Sequence, residues 1–402
     1  VRTKLYISYV GQSIQDNSFI PPSVLVSELM DYIEQGFDIP GENILDHMVI
    51  RHRLQAFSPK YFKKDDKLFS YSRENLEAAQ GILKPRKSPV PFISTRLGDP
   101  PVPEWKTIDL NDLSRFFGNP TRFLLEKRLG VTLEERGWKL DEREPFELRG
   151  LEKYQLEQSL VKQELEGKDP YDFLPLARAV GQLPHGTVGE CLFEDMISGS
   201  ARFAEKISSY LEGPQSVPLD ADMCLSGFRL TGRIDSIYPE RLIKYRYTRI
   251  KPKDRLNIWF QHLFLNRLAT DHNPRMSLLA GLSPKGKDPQ WVAYEFLPVE
   301  NSQEILENLL EKYWEGLLIP LHFFPRSSWE YAQRVVEKGT PLEDALESAR
   351  STWVGNDYAP GECEDAYYQL CFANTDPLDS EFQDIAEEVF GPLLEHQKEI
   401  EA

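Results

Sequence analysis

Hydrophobic positions change period along this chain, and each change marks an element. TKLYISYV at residues 3–10 is an apolar, β-branched run that fits a buried strand, and GQSIQDN after it reads as a turn. Next, Val24, Val26, Leu29, Met30 and Ile33 recur at helical spacing behind Pro22, a permitted first-turn residue, and the pattern stops at Gly36. A lone strand and helix cannot bury both faces, so this fragment is expected to pack on something absent or on the rest of the chain. Residues 51–105 are rich in proline and poor in periodicity, which predicts an extended connector with a short helix near Glu74 to Gln80.

A second module begins at Thr107. IDLNDLSRFFGNPTRFLLEKRLGV predicts two short helices separated at Asn119-Pro120, with Leu113, Phe116, Phe117, Phe123, Leu124, Leu125 and Leu129 facing inward. Charged helical sequence spans Leu151 to Gly167, and a long helix runs from about Gly189 to Leu211. PQSVPLD, CLSGFRLTGRIDSIY and RLIKYRYTRI then alternate or are rich in β formers, predicting strands. LNIWFQHLFLNRLA returns to helical period, RMSLLAGL and QWVAYEFLPV form a hairpin, and NSQEILENLLEKYWEGL is a further helix. The order helix, three strands, helix, two strands, helix indicates an α/β core.

Composition adds three bounds. At 402 residues the chain exceeds the size at which one core keeps growing, so two or more modules are expected. It contains no apolar run long enough for a membrane helix, and its start lacks the pattern of a signal peptide. Its four cysteines, Cys191, Cys224, Cys363 and Cys371, lack CxxC spacing, which argues against zinc, an iron–sulfur cluster or a disulfide framework and suits a reducing cytoplasm.

The formal charge of -17 argues against a nucleic-acid partner until its distribution is read. From Asp357 onward thirteen acidic residues face Lys398 alone, whereas Arg233 to Arg255 holds eight basic residues against three acidic ones. Local field, not net charge, steers a polyanion.

That basic stretch also carries the candidate chemistry. Two-metal phosphodiester hydrolysis needs carboxylates that converge on the cations and a lysine near the attacking water. A sheet supplies them as one acid on a strand, with an acid and a lysine two residues apart on its neighbour. Gly232-Arg233-Ile234-Asp235 and Ile243-Lys244-Tyr245-Arg246 have this layout with the wrong residues. They resemble the two strand motifs of the restriction-endonuclease-like, PD-(D/E)xK nuclease domain of bacterial recombination nucleases. That resemblance puts Lys244 at the aspartate position, Arg246 at the lysine position, Gln261 at a conserved-type glutamine near the site, and Glu190, in GTVGECLFEDM, at a metal-binding histidine. A fixed ammonium repels a divalent cation, and arginine is too weakly acidic to shuttle a proton near neutral pH. Lys244 is expected to pair with Asp235 or Glu190 instead, and no metal is expected to bind.

A wider resemblance spans nearly the whole chain. LYISYVGQSIQDNSFIPPSVLVSELMDYI, FSPKYF, DLSRFFGNPTRFLLEKRLGV, LPHGTVGECLFE, GECEDAYYQLCF and FGPLL are similar, in order, to the C-terminal third of the RecC family, the gamma subunits of exodeoxyribonuclease V. The resemblance implies residues 1–50 as the end of a degenerate helicase-like α/β domain, 51–105 as the connector and 106–402 as a catalytically inactive nuclease-like domain with a mixed sheet flanked by helices. Gly11 and Gln12 stand where motor proteins of that superfamily carry a threonine-arginine pair, so no arginine reaches a γ-phosphate. It further implies a non-catalytic scaffold in double-strand-break repair and recombination, with RecB-like and RecD-like partners and a duplex end, forked or single-stranded DNA. ATP and magnesium would be used by other subunits, and none by this chain.

DNA-binding candidates are Arg241, Lys244, Arg246, Arg249, Lys251, Lys253 and Arg255, interleaved with Tyr238, Tyr245 and Tyr247. The bland alternative is a solvated, lysine-guarded sheet edge. Gly281 to Asp288 nearly matches a phosphate-binding loop but ends in Asp288, followed by Pro289, and reads as a hairpin turn. Trp314, Phe323, Phe324 and Trp329 read as core, and Phe382, Ile385, Val389, Phe390, Leu393 and Leu394 read as the inner face of a folded acidic tail. Two other functions remain open from sequence: an active exonuclease whose rearranged site holds one metal on Glu190 and Asp235, and an assembly module without DNA contact.

Overall fold

The computed structural model describes residues 3–13, 18–63, 67–85, 90–99, 104–133, 150–268, 273–284, 290–356, 359–372 and 375–400. They form two compact units, Val1–Ser88 and Pro89–Ala402. The first unit contains α1 (Val24–Gly36), α2 (Ile44–Met48) and α3 (Arg73–Ile82). The helix starts carry local reasons: the Asn43 side-chain oxygen accepts from the Leu45 amide at 2.7 Å, and Ser72 Oγ accepts from the Asn75 amide at 3.3 Å. The strand expected at residues 3–10 does not form. Tyr6 is 82% exposed, and the run leads only into an isolated Gln12–Phe19 bridge. A strand needs a neighbour to take its amides and carbonyls, whatever its propensity. Among this unit's described residues only Tyr61 and Ala79 are buried.

The second unit opens with β1 (Thr107–Asp109), α4 (Leu110–Gly118) and α5 (Pro120–Phe123). Asn119 ends α4 in extended backbone and caps α5 by accepting from the Arg122 amide at 2.9 Å, so the break falls where Asn-Pro predicts it. A π-helical turn over Leu124–Arg128 follows, with the Leu129 amide reaching the Leu124 carbonyl. The wider turn rotates Leu129 outward to 37% exposure, correcting the inward reading. Helices α6 (Gly150–Leu165), α7 (Leu174–Ala179) and α8 (Thr187–Ser208) precede β2 (Leu219–Leu225), β3 (Phe228–Ile234) and β4 (Arg241–Arg249). PQSVPLD therefore becomes strand only at its end, because Pro214 and Pro218 offer no ladder donor. Then come α9 (Pro252–Leu268), β5 (Met276–Leu282), β6 (Trp291–Phe296), α10 (Ser302–Gly316), α11 (Pro325–Ala332) and α12 (Leu342–Val354). The short pair β7 (Gly355–Asn356) and β8 (Ala359–Pro360), α13 (Ala366–Phe372), α14 (Ser380–His396) and β9 (Gln397–Ile400) close the chain.

Two mixed sheets result, in the orders β1-β3-β2 and β4-β5-β6-β9. The pair β4 and β5 is parallel and connected through α9, while β5 and β6 form the expected antiparallel hairpin. Residues 285–289 of its connection, which hold the second half of the near match to a phosphate-binding loop, lie outside the described residues. The four-stranded sheet is covered on both faces. Leu279, Val292 and Phe296 join α9, α10 and α14 in the main core, whereas Ile243, Leu278, Ala280 and Ala293 meet Val161 of α6 and Phe203 and Ile207 of α8. Phe323 and Phe324 are fully buried with Trp314 and Trp329 packed against the core, and the six apolar positions read in α14 are all buried.

Candidate nucleic-acid interface

The remnant motif is shaped by a tight reversal between the two sheets. Gly232 of β3 has φ 154°, and a Cβ there would stand 3.1 Å from the Leu110 side chain, so this glycine lets β3 pack on α4. Asp235 follows the end of β3, and Ser236 turns the chain in left-handed backbone at φ 63°. The Ile243 amide then donates to the Ser236 carbonyl at 3.0 Å, returning β4 beside Asp235. Lys244 Nζ donates to Asp235 Oδ1 in an ion pair, and that hydrogen bond, opposed by partial burial, holds the Asp235 carboxyl below its ordinary value.

Period two along β4 separates the roles of its residues. Leu242 joins the main core and Ile243 the α6–α8 core, and Lys244 and Arg246, two apart, both line one cleft. Arg246 ion-pairs with Asp254 in the first turn of α9, and its Nε donates to Tyr154 Oη at 3.2 Å. Burial opposes its charge, but Asp254 and Tyr154 outweigh burial and raise its pKa. Asp254 is 8% exposed and also accepts from the Lys251 amide at 2.9 Å, so one carboxylate caps the helix and binds the guanidinium. Glu190, on α8, ion-pairs with Arg178 and does not line the cleft. Gln261 is buried and donates to Asn257 Oδ1 at 3.1 Å. The vestigial residues thus come together as the pair Asp235–Lys244, with Arg246 alongside in the same strand and Glu190 engaged elsewhere.

The remaining DNA candidates divide. Lys251 and Lys253 are exposed, with no ion-pair partner among the described residues. Arg249 donates to the Pro284 carbonyl at 3.0 Å, and Arg241 pairs with Glu295 at 3.2 Å. Arg255 is a correction. It is 3% exposed, with its guanidinium 3.7 Å from the Tyr294 ring centroid and 4.5 Å from that of Trp329, and it donates to Gln397 Oε1. It is a core cation because α9 begins at Pro252 and the period changes from two to 3.6, turning it inward.

The cleft itself has a volume of about 750 Å³ and two cationic walls. Arg115, Arg122 and Lys127 come from the segment of α4, α5 and the π-helical turn, and Lys244, Arg246 and Lys253 from β4 and the start of α9. Among the described residues, two carboxylates, Glu126 and Asp254, line it against those six cations. The first wall was missed in the sequence because its cations alternate with the apolar positions that define the helices. One set of metal-ligating groups is close together among the described residues: His322, Asp379 and Glu381, within 4.8 Å of one another. His322 Nδ1 lies 3.0 Å from Asp379, which caps α14 by accepting from the Phe382 amide at 3.1 Å. The positive end of that helix disfavours a cation there.

Comparison with known proteins gives this geometry a family. Residues 105–335 match the model of the RecC C-terminal domain. The chain belongs to the RecC family. The RecBCD enzyme subunit RecC of Escherichia coli (strain K12) is 30% identical over 395 residues, covering 93% of this chain and 33% of that protein. The RecC subunit of Haemophilus influenzae is 30% identical over 270 residues, 65% of this chain and 23% of the relative, and that of Mycobacterium tuberculosis (strain ATCC 25618 / H37Rv) is 26% identical over 367 residues, 89% and 32%. The chain therefore spans about a third of the length of the RecC proteins it matches. No helix among the described residues is long and apolar enough to cross a membrane.

Proposed function

We propose that the chain is the non-catalytic, DNA-contacting C-terminal part of a RecC-type subunit, acting as scaffold in a RecBCD-type complex for double-strand-break repair and recombination. RecB-like and RecD-like subunits are the protein partners, and forked or single-stranded DNA is the ligand. Residues 106–402 are then a decayed PD-(D/E)xK nuclease-like domain, and 1–50 the end of a degenerate helicase-like domain.

The observation that carries this reading is the quenched remnant. Where a metal nuclease keeps carboxylates free for cations, Asp235 already holds Lys244, and the cleft beside it contains Arg246 bound to Asp254. The cations that replaced the ligands neutralise the acids left behind, and a divalent ion brought there meets repulsion. The rearranged one-metal alternative loses both its ligands, since Glu190 is engaged by Arg178. Family membership and the excess of cations in the cleft favour DNA contact over an assembly module.

Fluorescence anisotropy with a labelled forked oligonucleotide tests it. Binding should fall steeply with salt, because displaced counterions make log K linear in log salt. Reversal of Lys251 and Lys253 to glutamate should flatten that slope. A wild-type chain that does not bind the fork would refute DNA contact, and binding with no salt dependence would refute contact through the basic residues.

A further inference from the structure

We infer that the cleft between the α4–α5 segment and β4–α9 holds the sugar-phosphate backbone of a single strand, with Arg115, Arg122 and Lys127 gripping from the wall opposite Lys244, Arg246 and Lys253. The inference rests on the DNA-contacting reading and extends it to a strand type and to three residues outside the remnant motif. Cations on both sides of a concave site suit a chain threaded between them, not a cylinder lying on a surface. A volume of about 750 Å³ lies within the range of small-molecule sites, roughly 300–1,000 Å³, which fits one or two nucleotides. That volume is far smaller than a double helix, whose major groove alone is about 12 Å wide, so it suits one backbone and not two.

Arg122 is held for this role by a residue far away in sequence. Its Nε donates to Glu126 Oε1 at 2.9 Å and its guanidinium stacks 5.2 Å from the centroid of the Tyr367 ring. Tyr367, in α13, donates its hydroxyl to the same Glu126 oxygen at 2.5 Å. That hydrogen bond keeps the Glu126 carboxyl below its ordinary value, so it stays an acceptor. The arrangement occupies Nε and fixes the plane of the fork, leaving the terminal amino groups for an anion. Tyr367 is a positioning residue. Arg115, paired with Asp112 at 3.2 Å, and Lys127 are exposed or half-exposed and reach an entering phosphate by exchanging solvent or a weak surface pair.

Salt titrations of the whole chain with a labelled oligothymidylate and with a hairpin duplex, between about 50 and 200 mM salt, test the assignment. Arg115→Ala and Lys127→Ala should each lower the single-strand slope of log K against log salt by about 0.7. Tyr367→Phe should weaken single-strand binding a few-fold with the slope unchanged, since no cation is lost, and Lys338→Ala should alter neither. If Arg115→Ala/Lys127→Ala leaves the slope intact while Lys251→Glu, outside the cleft, still weakens binding, DNA contact stands and the cleft assignment falls. A duplex that depends on Arg115 and Lys127 as strongly as the single strand overturns the strand type. No binding by the wild-type chain overturns the underlying reading of function.

Discussion

Removing Arg246 should expose the difference between the two ion pairs of the remnant site. Arg246→Ala strips the guanidinium from Asp254, whose side chain is 7% exposed, whereas Lys244→Ala releases Asp235, whose side chain is 60% exposed. Deleting one member of a fully buried pair costs about 3–5 kcal/mol because the other charge is left uncompensated. The Arg246 side chain is itself 35% exposed, and Asp254 keeps the Lys251 amide, so solvent and that bond reduce the expected loss to about 2 kcal/mol. Lys244→Ala should cost about 0.5 kcal/mol, the value of a surface pair. All seven tryptophans lie beyond residue 88, so urea unfolding followed by tryptophan fluorescence reports the second unit alone. The midpoint should move with little change in denaturant slope, and Arg246→Ala/Asp254→Asn should recover part of the loss by removing the stranded charge. An Arg246→Ala penalty no larger than that of Lys244→Ala would refute the reasoning.

Three further outcomes follow from individual side chains. His262 is buried between Ser277 Oγ at 2.8 Å and the Leu297 carbonyl at 3.0 Å, and burial lowers its pKa to about 4 from an ordinary 6.5. The unfolded chain therefore binds the extra proton in that window, so stability should fall by up to about 3 kcal/mol as pH drops from 6.5 to 4, and His262→Gln should flatten the profile. Gly316→Ala should cost about 1–3 kcal/mol in urea unfolding, because its Cβ would stand 2.5 Å from Phe116 Cζ inside the main core. Millimolar manganese should leave the thermal midpoint unchanged in calorimetry; a rise that disappears in Asp235→Ala would contradict the quenched site.

Sequence made local structure legible wherever a residue acts on its own neighbours. Asn119-Pro120 breaks two helices, Gly36 ends α1, and period two places Lys244 and Arg246 on one cleft. Pairings that depend on tertiary packing were not legible. Lys244 had two acids within reason, and the choice of Asp235 follows from the turn at Ser236, while Glu190 takes Arg178 on the neighbouring helix. Arg255 belongs to a basic run in sequence yet lies in the core, because the change of element at Pro252 reorients it. The wall of Arg115, Arg122 and Lys127 lies more than a hundred residues before β4, and packing of α4 on α9 joins the two. The run at residues 3–10 has strand propensity without a strand, since propensity supplies no neighbour.

The central claim is that cations have closed the nuclease remnant, and degradation of a labelled DNA fork by the purified chain in magnesium or manganese tests it most directly. The account predicts an intact fork, with the wild-type chain and Asp235→Ala indistinguishable at every time point. Metal-dependent cleavage by the wild-type chain that disappears in Asp235→Ala would contradict it.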